Sequence, residues 1–190
     1  MFDQFERARR AADRLLGLSI SLPTRAMPQA ASGAELWASI ETLMRDIARL
    51  DSLDPVLTEV VRLHGARFHG CRLCQSRRSV RALDAAGVSG SEFARDLDPV
   101  PLLAVEIVDT IITGASDATG DLGARANAIF TDAQLAELIF DVMRNAANKI
   151  AVALGADAPN VSAGIEYFDF DASGEVVADT DAEAVRRATA

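Results

Sequence analysis

Along most of this chain, apolar and polar positions alternate with a period near 3.6, the repeat of helices that bury one face. Leu36, Ile40, Leu43, Ile47 and Leu50 trace one such stripe, preceded by Ser32 and Glu35 at capping-box spacing. Asp54 followed by Pro55 predicts the next helix start, because proline at the first helical position lacks only an N–H that would be unbonded anyway. That helix carries Glu59 and ends near Gly65 or Gly70, and a further helix is predicted from near Gly70 to Gly87. Ser89 with Glu92, flanked by Val88 and Phe93, and then Asp98 with Pro99, mark two more starts.

The apolar run through Leu102, Leu103, Val105, Ile107, Val108, Ile111 and Ile112 predicts a buried helix, with a strand over 105–112 as the alternative. Residues 117–128, rich in Gly, Ala and Asp, read as a loop or a weak helix. Phe130, Thr131, Gln134 and Leu135 form a third cap and staple. They open a helix through Leu138, Ile139, Val142, Ala146, Ile150 and Leu154 that stops at Gly155. At the other end, Phe5, Ala8, Ala12, Leu15 and Leu16 predict a surface helix, joined to the rest by a connector containing Pro23 and Pro28. Only 165–170 has an extended pattern, and the strand–helix alternation of a doubly wound sheet is missing. The expectation is an all-α protein: a helix and arm over 1–31, a helical core over 32–156, and a peripheral acidic tail over 157–190.

Composition narrows the function classes. With 190 residues, 49% of them apolar, the chain is long enough for one good core and too apolar to be disordered. Its formal charge is −9, unevenly distributed. Residues 60–83 hold six arginines and no acid, whereas 157–190 hold eight acids and two arginines. An acidic chain makes a poor general binder of nucleic acid. The local basic run instead suits a small anion, an acidic cofactor arm or an acidic surface of a neighbouring subunit. No stretch approaches the apolar length of a membrane span. The charged start does not resemble a secretory signal, so the expected compartment is the cytoplasm.

The only two cysteines and only two histidines fall within eleven residues: His64, His69, Cys71 and Cys74. In a reducing compartment a lone cysteine pair is more often redox-active or metal-binding than structural. On a helix beginning near Gly70, Cys71 and Cys74 share a face of the first turn, where unpaired N–H groups and the helix dipole stabilise a thiolate. The spacing also lets the pair close into a disulfide after one sulfur meets an oxidant. On these grounds Cys71, nearer the helix start, is expected to be the more exposed thiolate. Arg78 and Arg81 follow on the same face and add positive potential. Guanidinium does not act as a base, so the proton acceptor is sought in Glu59, His64 or His69. The rival use of the same atoms is a tetrahedral zinc site of two thiolates and two imidazoles, disfavoured by the crowding of all four ligands into one helical run.

Glu59, a twelve-residue step to Cys71, then Cys74, and the later Ala86-Gly87-Val88-Ser89 turn resemble the core pattern of the carboxymuconolactone decarboxylase family, in particular its AhpD-like alkylhydroperoxidase branch. The run from Phe130 to Leu138 is similar to that family's closing helix, and the resemblance extends over about 36–155. It implies an all-α, AhpD-like fold assembled as homo-oligomers (trimers, hexamers or dimers). It also implies hydroperoxide reduction with electrons from a dihydrolipoamide-bearing or thioredoxin-like partner, without cofactor or metal. Cys74 would then be the attacking sulfur, Cys71 the resolving one, and Glu59 part of the proton relay. The chain departs from the pattern in carrying Arg78 and Leu73 where family peroxidases place histidines: either His69 substitutes from the other side of Cys71, or the protein has left efficient peroxidase chemistry for another use. The alternatives are a redox-sensing or non-enzymatic oligomer of the same fold and a lactone decarboxylase-like enzyme whose anionic substrate would suit the arginines.

Overall fold

The computed structural model describes residues 33–90, 93, 99–113, 121–146 and 148–190. The N-terminal helix and connector, Ser32, Glu92 and Asp98 lie outside the described residues. The helices are α1 (Gly33–Ala48), α2 (Pro55–Phe68), α3 (Arg72–Ser76), α4 (Val80–Ala86), α5 (Pro99–Thr113), α6 (Leu122–Ile129), α7 (Asp132–Ala146), α8 (Asn148–Ala153) and α9 (Ala182–Thr189). Three short strands accompany them: β1 (Arg77–Ser79), β2 (Glu166–Phe170) and β3 (Val176–Asp179). The fold is all-α in character, with one small sheet on its side.

Helix α2 is the axis of the molecule. Asp54 caps it, accepting from Val56 N at 2.8 Å and Leu57 N at 3.3 Å, and Pro55 is its first residue, as the sequence predicts. Its Leu57 and Val61 join Leu103 and Val108 of α5 and Leu138 and Val142 of α7 in the main core. On the opposite side Val60 and Leu63 pack against Ala82, Leu83 and Phe93. Each fully buried aliphatic side chain stabilises the fold by roughly 1.5–3 kcal/mol, and Leu63 and Leu138 are fully enclosed. The segment over 105–112 is helical. The Thr131 box forms reciprocally: Thr131 N donates to Gln134 Oε1 at 2.9 Å, and Gln134 N to Thr131 Oγ1 at 3.3 Å. Gly155, at φ +64°, ends α8, with Ala156 N closing onto Ala151 O.

Two expectations are corrected. The helix predicted from Gly70 to Gly87 is broken in the middle. Arg77 turns inward to pair with buried Glu166, and β1 aligns parallel to β2, with Arg77 opposite Glu166. Arg62 donates to the carbonyls of Cys74 and Arg77, and Ser79 then caps a new helix by accepting from Ala82 N. The 157–190 segment is also not a peripheral tail. Strand β2 pairs antiparallel with β3, α9 packs on both, and Phe168 and Val185 are buried. Its acids meet the basic run of the same chain: Asp157 holds Arg72, Glu166 holds Arg77, and Asp169 accepts from Arg81 N. Much of the positive patch that suggested an external anion is therefore neutralised internally. Among the described residues no helix is long and apolar enough to cross a membrane.

Candidate active site

The cysteines are brought together by a tight turn. Gly70, at φ +66°, reverses the chain after α2, a backbone state that an L side chain adopts only under strain, and Cys71 N donates back to Ala66 O at 2.9 Å. Cys71 is then the N-cap of α3: its sulfur accepts from Cys74 N at 3.3 Å. The two Sγ atoms lie 2.8 Å apart. The sequence is right about their proximity and wrong about their exposure. Cys71 is 0% and Cys74 3% exposed, packed with Ala66, Leu73 and Val152.

Nor is the opening of α3 available to a thiolate in the way the dipole argument requires. Arg72 N donates to Asp157 Oδ2 at 3.0 Å, and Leu73 N donates to Asp157 O at 2.9 Å. The Arg72 side chain clasps the same carboxylate and, through that hydrogen bond first, holds the Asp157 carboxyl below its ordinary range. A helix of five residues carries little dipole in any case.

What reaches the cysteines instead is Arg62. It lies three residues after Glu59 on α2, and the two form a fork: Nε donates to Glu59 Oε2 at 2.5 Å and Nη2 to Glu59 Oε1 at 2.7 Å. Two further donors go to Cys74 O and Arg77 O, each at 2.8 Å. Glu59 is 2% and Arg62 4% exposed, and the guanidinium stacks over the Phe168 ring at 5.0 Å. Burial by itself would loosen the Arg62 proton, but Glu59 outweighs it and holds the guanidinium more firmly charged than usual, with the two cysteines adding to the effect. Glu59 also accepts from Ser79 N at 3.2 Å, which ties the start of α4 to the pair.

The other predicted residues are placed differently. His69 is the C-cap of α2, its ring edge-on to Phe68, and burial followed by the charge of Lys149 lowers its pKa. Arg78 does not extend a helical face beyond Cys74. It sits in β1 and donates to the carbonyls of Gly90, Gln75 and Arg77. Arg81 is exposed on α4 and borders a neighbouring cavity. His64 turns to α5, where its Nε2 meets Asp109 Oδ1 at 2.6 Å. Among the described residues no group of three or more His, Cys, Asp or Glu is arranged to hold a metal ion.

That cavity, about 50 Å³, is lined by Glu59 and Arg62 but by neither cysteine. Glu137, Asp141 and Arg144 of α7 line it together with Phe168 and Phe170. Sequence reading passed over these three and Arg62. The signal was present: Glu137, Asp141, Arg144 and Asn145 recur at helical spacing and form a polar stripe inside the face assigned to the core. Glu59/Arg62 and Asp141/Arg144 share the same i, i+3 step.

Comparison with known proteins adds relatives without a described activity. No family model matches the chain, and no solved structure matches it. It is similar to two proteins of Mycobacterium tuberculosis, uncharacterized protein Rv2313c of strain H37Rv and uncharacterized protein MT2376 of strain CDC 1551. Each is 40% identical to it over 138 residues, covering 69% of this chain and 49% of the relative. The chain thus spans about half the length of the curated relatives it matches.

Proposed function

We propose that this chain is a dithiol–disulfide oxidoreductase of the AhpD-like type that reduces small hydroperoxides through Cys71 and Cys74. The observation that carries this reading is the 2.8 Å approach of the two sulfurs, with Cys71 capping the turn that bears Cys74. One thiolate attacks the terminal peroxide oxygen, the O–O bond breaks, and the alcohol leaves with a proton while the sulfur becomes a sulfenic acid. The second thiol displaces water from that sulfur and closes the disulfide. Two thiol hydrogens and the peroxide thus yield alcohol and water. An external dithiol, dihydrolipoamide-bearing or thioredoxin-like, reopens the bond by exchange.

In this scheme Arg62 supports negative charge on the cysteine turn, and Glu59 keeps Arg62 charged and fixed. Which sulfur attacks is assigned by resemblance to Cys74. A reducing cytoplasm and a homo-oligomer belong to the same proposal. The exposed Ile139, Phe140 and Met143 of α7 support the oligomer, as an apolar patch that a second copy would cover. The burial of both sulfurs favours slow, sensor-like oxidation as the second reading. Hydroperoxide consumption with dihydrolipoamide as reductant tests the scheme. Cys71→Ser and Cys74→Ser should each abolish turnover, and Glu59→Gln should reduce it by roughly tenfold or more. Turnover surviving either serine variant would overturn the proposal, and stoichiometric oxidation without turnover would select the sensor.

A further inference from the structure

The acid–arginine device occurs twice, and the two copies are not equally complete. Glu59 and Arg62 form a two-bond fork, and Arg62 holds two carbonyls besides. Asp141 and Arg144 share one bond, Nη2 to Oδ1 at 2.5 Å. Among the described residues Asp141 Oδ2 and the Nε and Nη1 of Arg144 meet no hydrogen-bond partner. Both residues line the cavity, and they are only 2% and 5% exposed. A buried polar atom left so is destabilising, more so when it is charged, and packing alone does not account for it.

The unmatched atoms specify a ligand. Arg144 carries unmatched N–H donors and Asp141 Oδ2 is an unmatched acceptor, on two residues that line the same cavity. A carboxyl group supplies the complement, one oxygen for Arg144 and one for the Asp141 carboxyl. Two carboxylates facing each other repel unless they share a proton. At roughly 10–15 Å³ for each water-sized group, 50 Å³ admits about four, the heavy-atom count of acetate. Ile47, Leu50, Leu53 and Phe170 on the cavity wall suit a short alkyl end.

We infer that this cavity between α2, α7 and β2 binds a small monocarboxylic acid of formate to propionate size, held by Arg144 and sharing one proton with Asp141. The charges facing Asp141 fit such coupling: Glu137 and Arg144 on its own helix, Glu59 and Arg62 from α2, Asp169 from β2 and Arg81 from α4. Burial first, opposed by Arg144 and reinforced by Glu137, pushes the Asp141 carboxyl up to about 6. Uptake of one proton therefore becomes easier as pH falls through that value.

Calorimetric titration of the full chain with sodium acetate, at about pH 5.5 and about pH 7.5, tests this. Saturable one-to-one binding is expected, about 20-fold tighter at the lower pH, with close to one proton taken up at the higher. Asp141→Asn supplies an N–H donor in place of the shared proton, so its affinity should vary less than about threefold between the two pH values, with no proton uptake. Arg144→Met should lose binding by at least about tenfold. If that variant does not fold by circular dichroism, Asp141→Asn decides alone. No saturation at tens of millimolar acetate, equal affinity at both pH values, or unchanged pH dependence in Asp141→Asn would each overturn the inference.

Discussion

Arg62 links the two candidate sites of this molecule, because it lines the cavity together with Glu59, which it bonds, and the same guanidinium donates to the carbonyls of Cys74 and Arg77. Removing one member of a buried pair leaves the other charge uncompensated, so Arg62→Met should lower the unfolding free energy by about 3–5 kcal/mol in urea titration. A loss under about 1 kcal/mol would mean that Glu59 is not buried as charge. Asp141 makes a separate prediction. Its folded pKa is raised from 3.8 to about 6, so between those values the folded state keeps a proton that the unfolded chain has lost. The stability it contributes is complete below the lower value and lost as pH rises through about 6, on the order of 3 kcal/mol. Urea titrations across this range should show that fall in the native protein and not in Asp141→Asn. Sequence alone pointed to Glu59, a lone acid ahead of a basic run. It did not point to Arg62, because an i, i+3 pair on a solvated surface has the same spacing, and what buries this one is Phe168, more than a hundred residues later.

At the scale of elements, caps and stops were the legible part: Asp54, Pro55, Thr131, Gln134, Gly87 and Gly155 act where their chemistry places them. The break at Arg77–Ser79 was not legible, because it is decided by a strand partner and two side chains from elsewhere in the chain. The β2–β3 hairpin docks through Gly174, at φ +83°, where an added Cβ would lie 2.6 Å from the Arg45 carbonyl oxygen. Gly174→Ala should therefore destabilise the protein by at least about 2 kcal/mol, whereas Gly155→Ala, with open space around it, should cost about 1 kcal/mol. Thermal melts of the two variants check that order. Helix α3 is fastened by Asp157, so Asp157→Ala should raise the native-state reactivity of the cysteines toward a soluble disulfide reagent by roughly tenfold or more. Unchanged rates would show that α3 is not what screens the sulfurs.

On the scale of the whole molecule, the uneven charge of the sequence becomes an internal seam. The acids of 157–190 close over the arginines of 60–83 and, with Phe168 and Val185, make the last segment part of the fold. Helical class and the position of the core followed from periodicity; this closure depended on contacts between distant segments, which periodicity does not encode. The dithiol itself is buried among Ala66, Leu73 and Val152, and the central claim is that two sulfurs so placed form a working redox couple. Native protein treated with one equivalent of hydrogen peroxide, alkylated and mapped by peptide mass measures this directly. The account predicts a Cys71–Cys74 disulfide, two thiols lost together and restored by dihydrolipoamide. Two intact thiols that react only after denaturation, or a single sulfur oxidised beyond the sulfenic state with the other untouched, would contradict it.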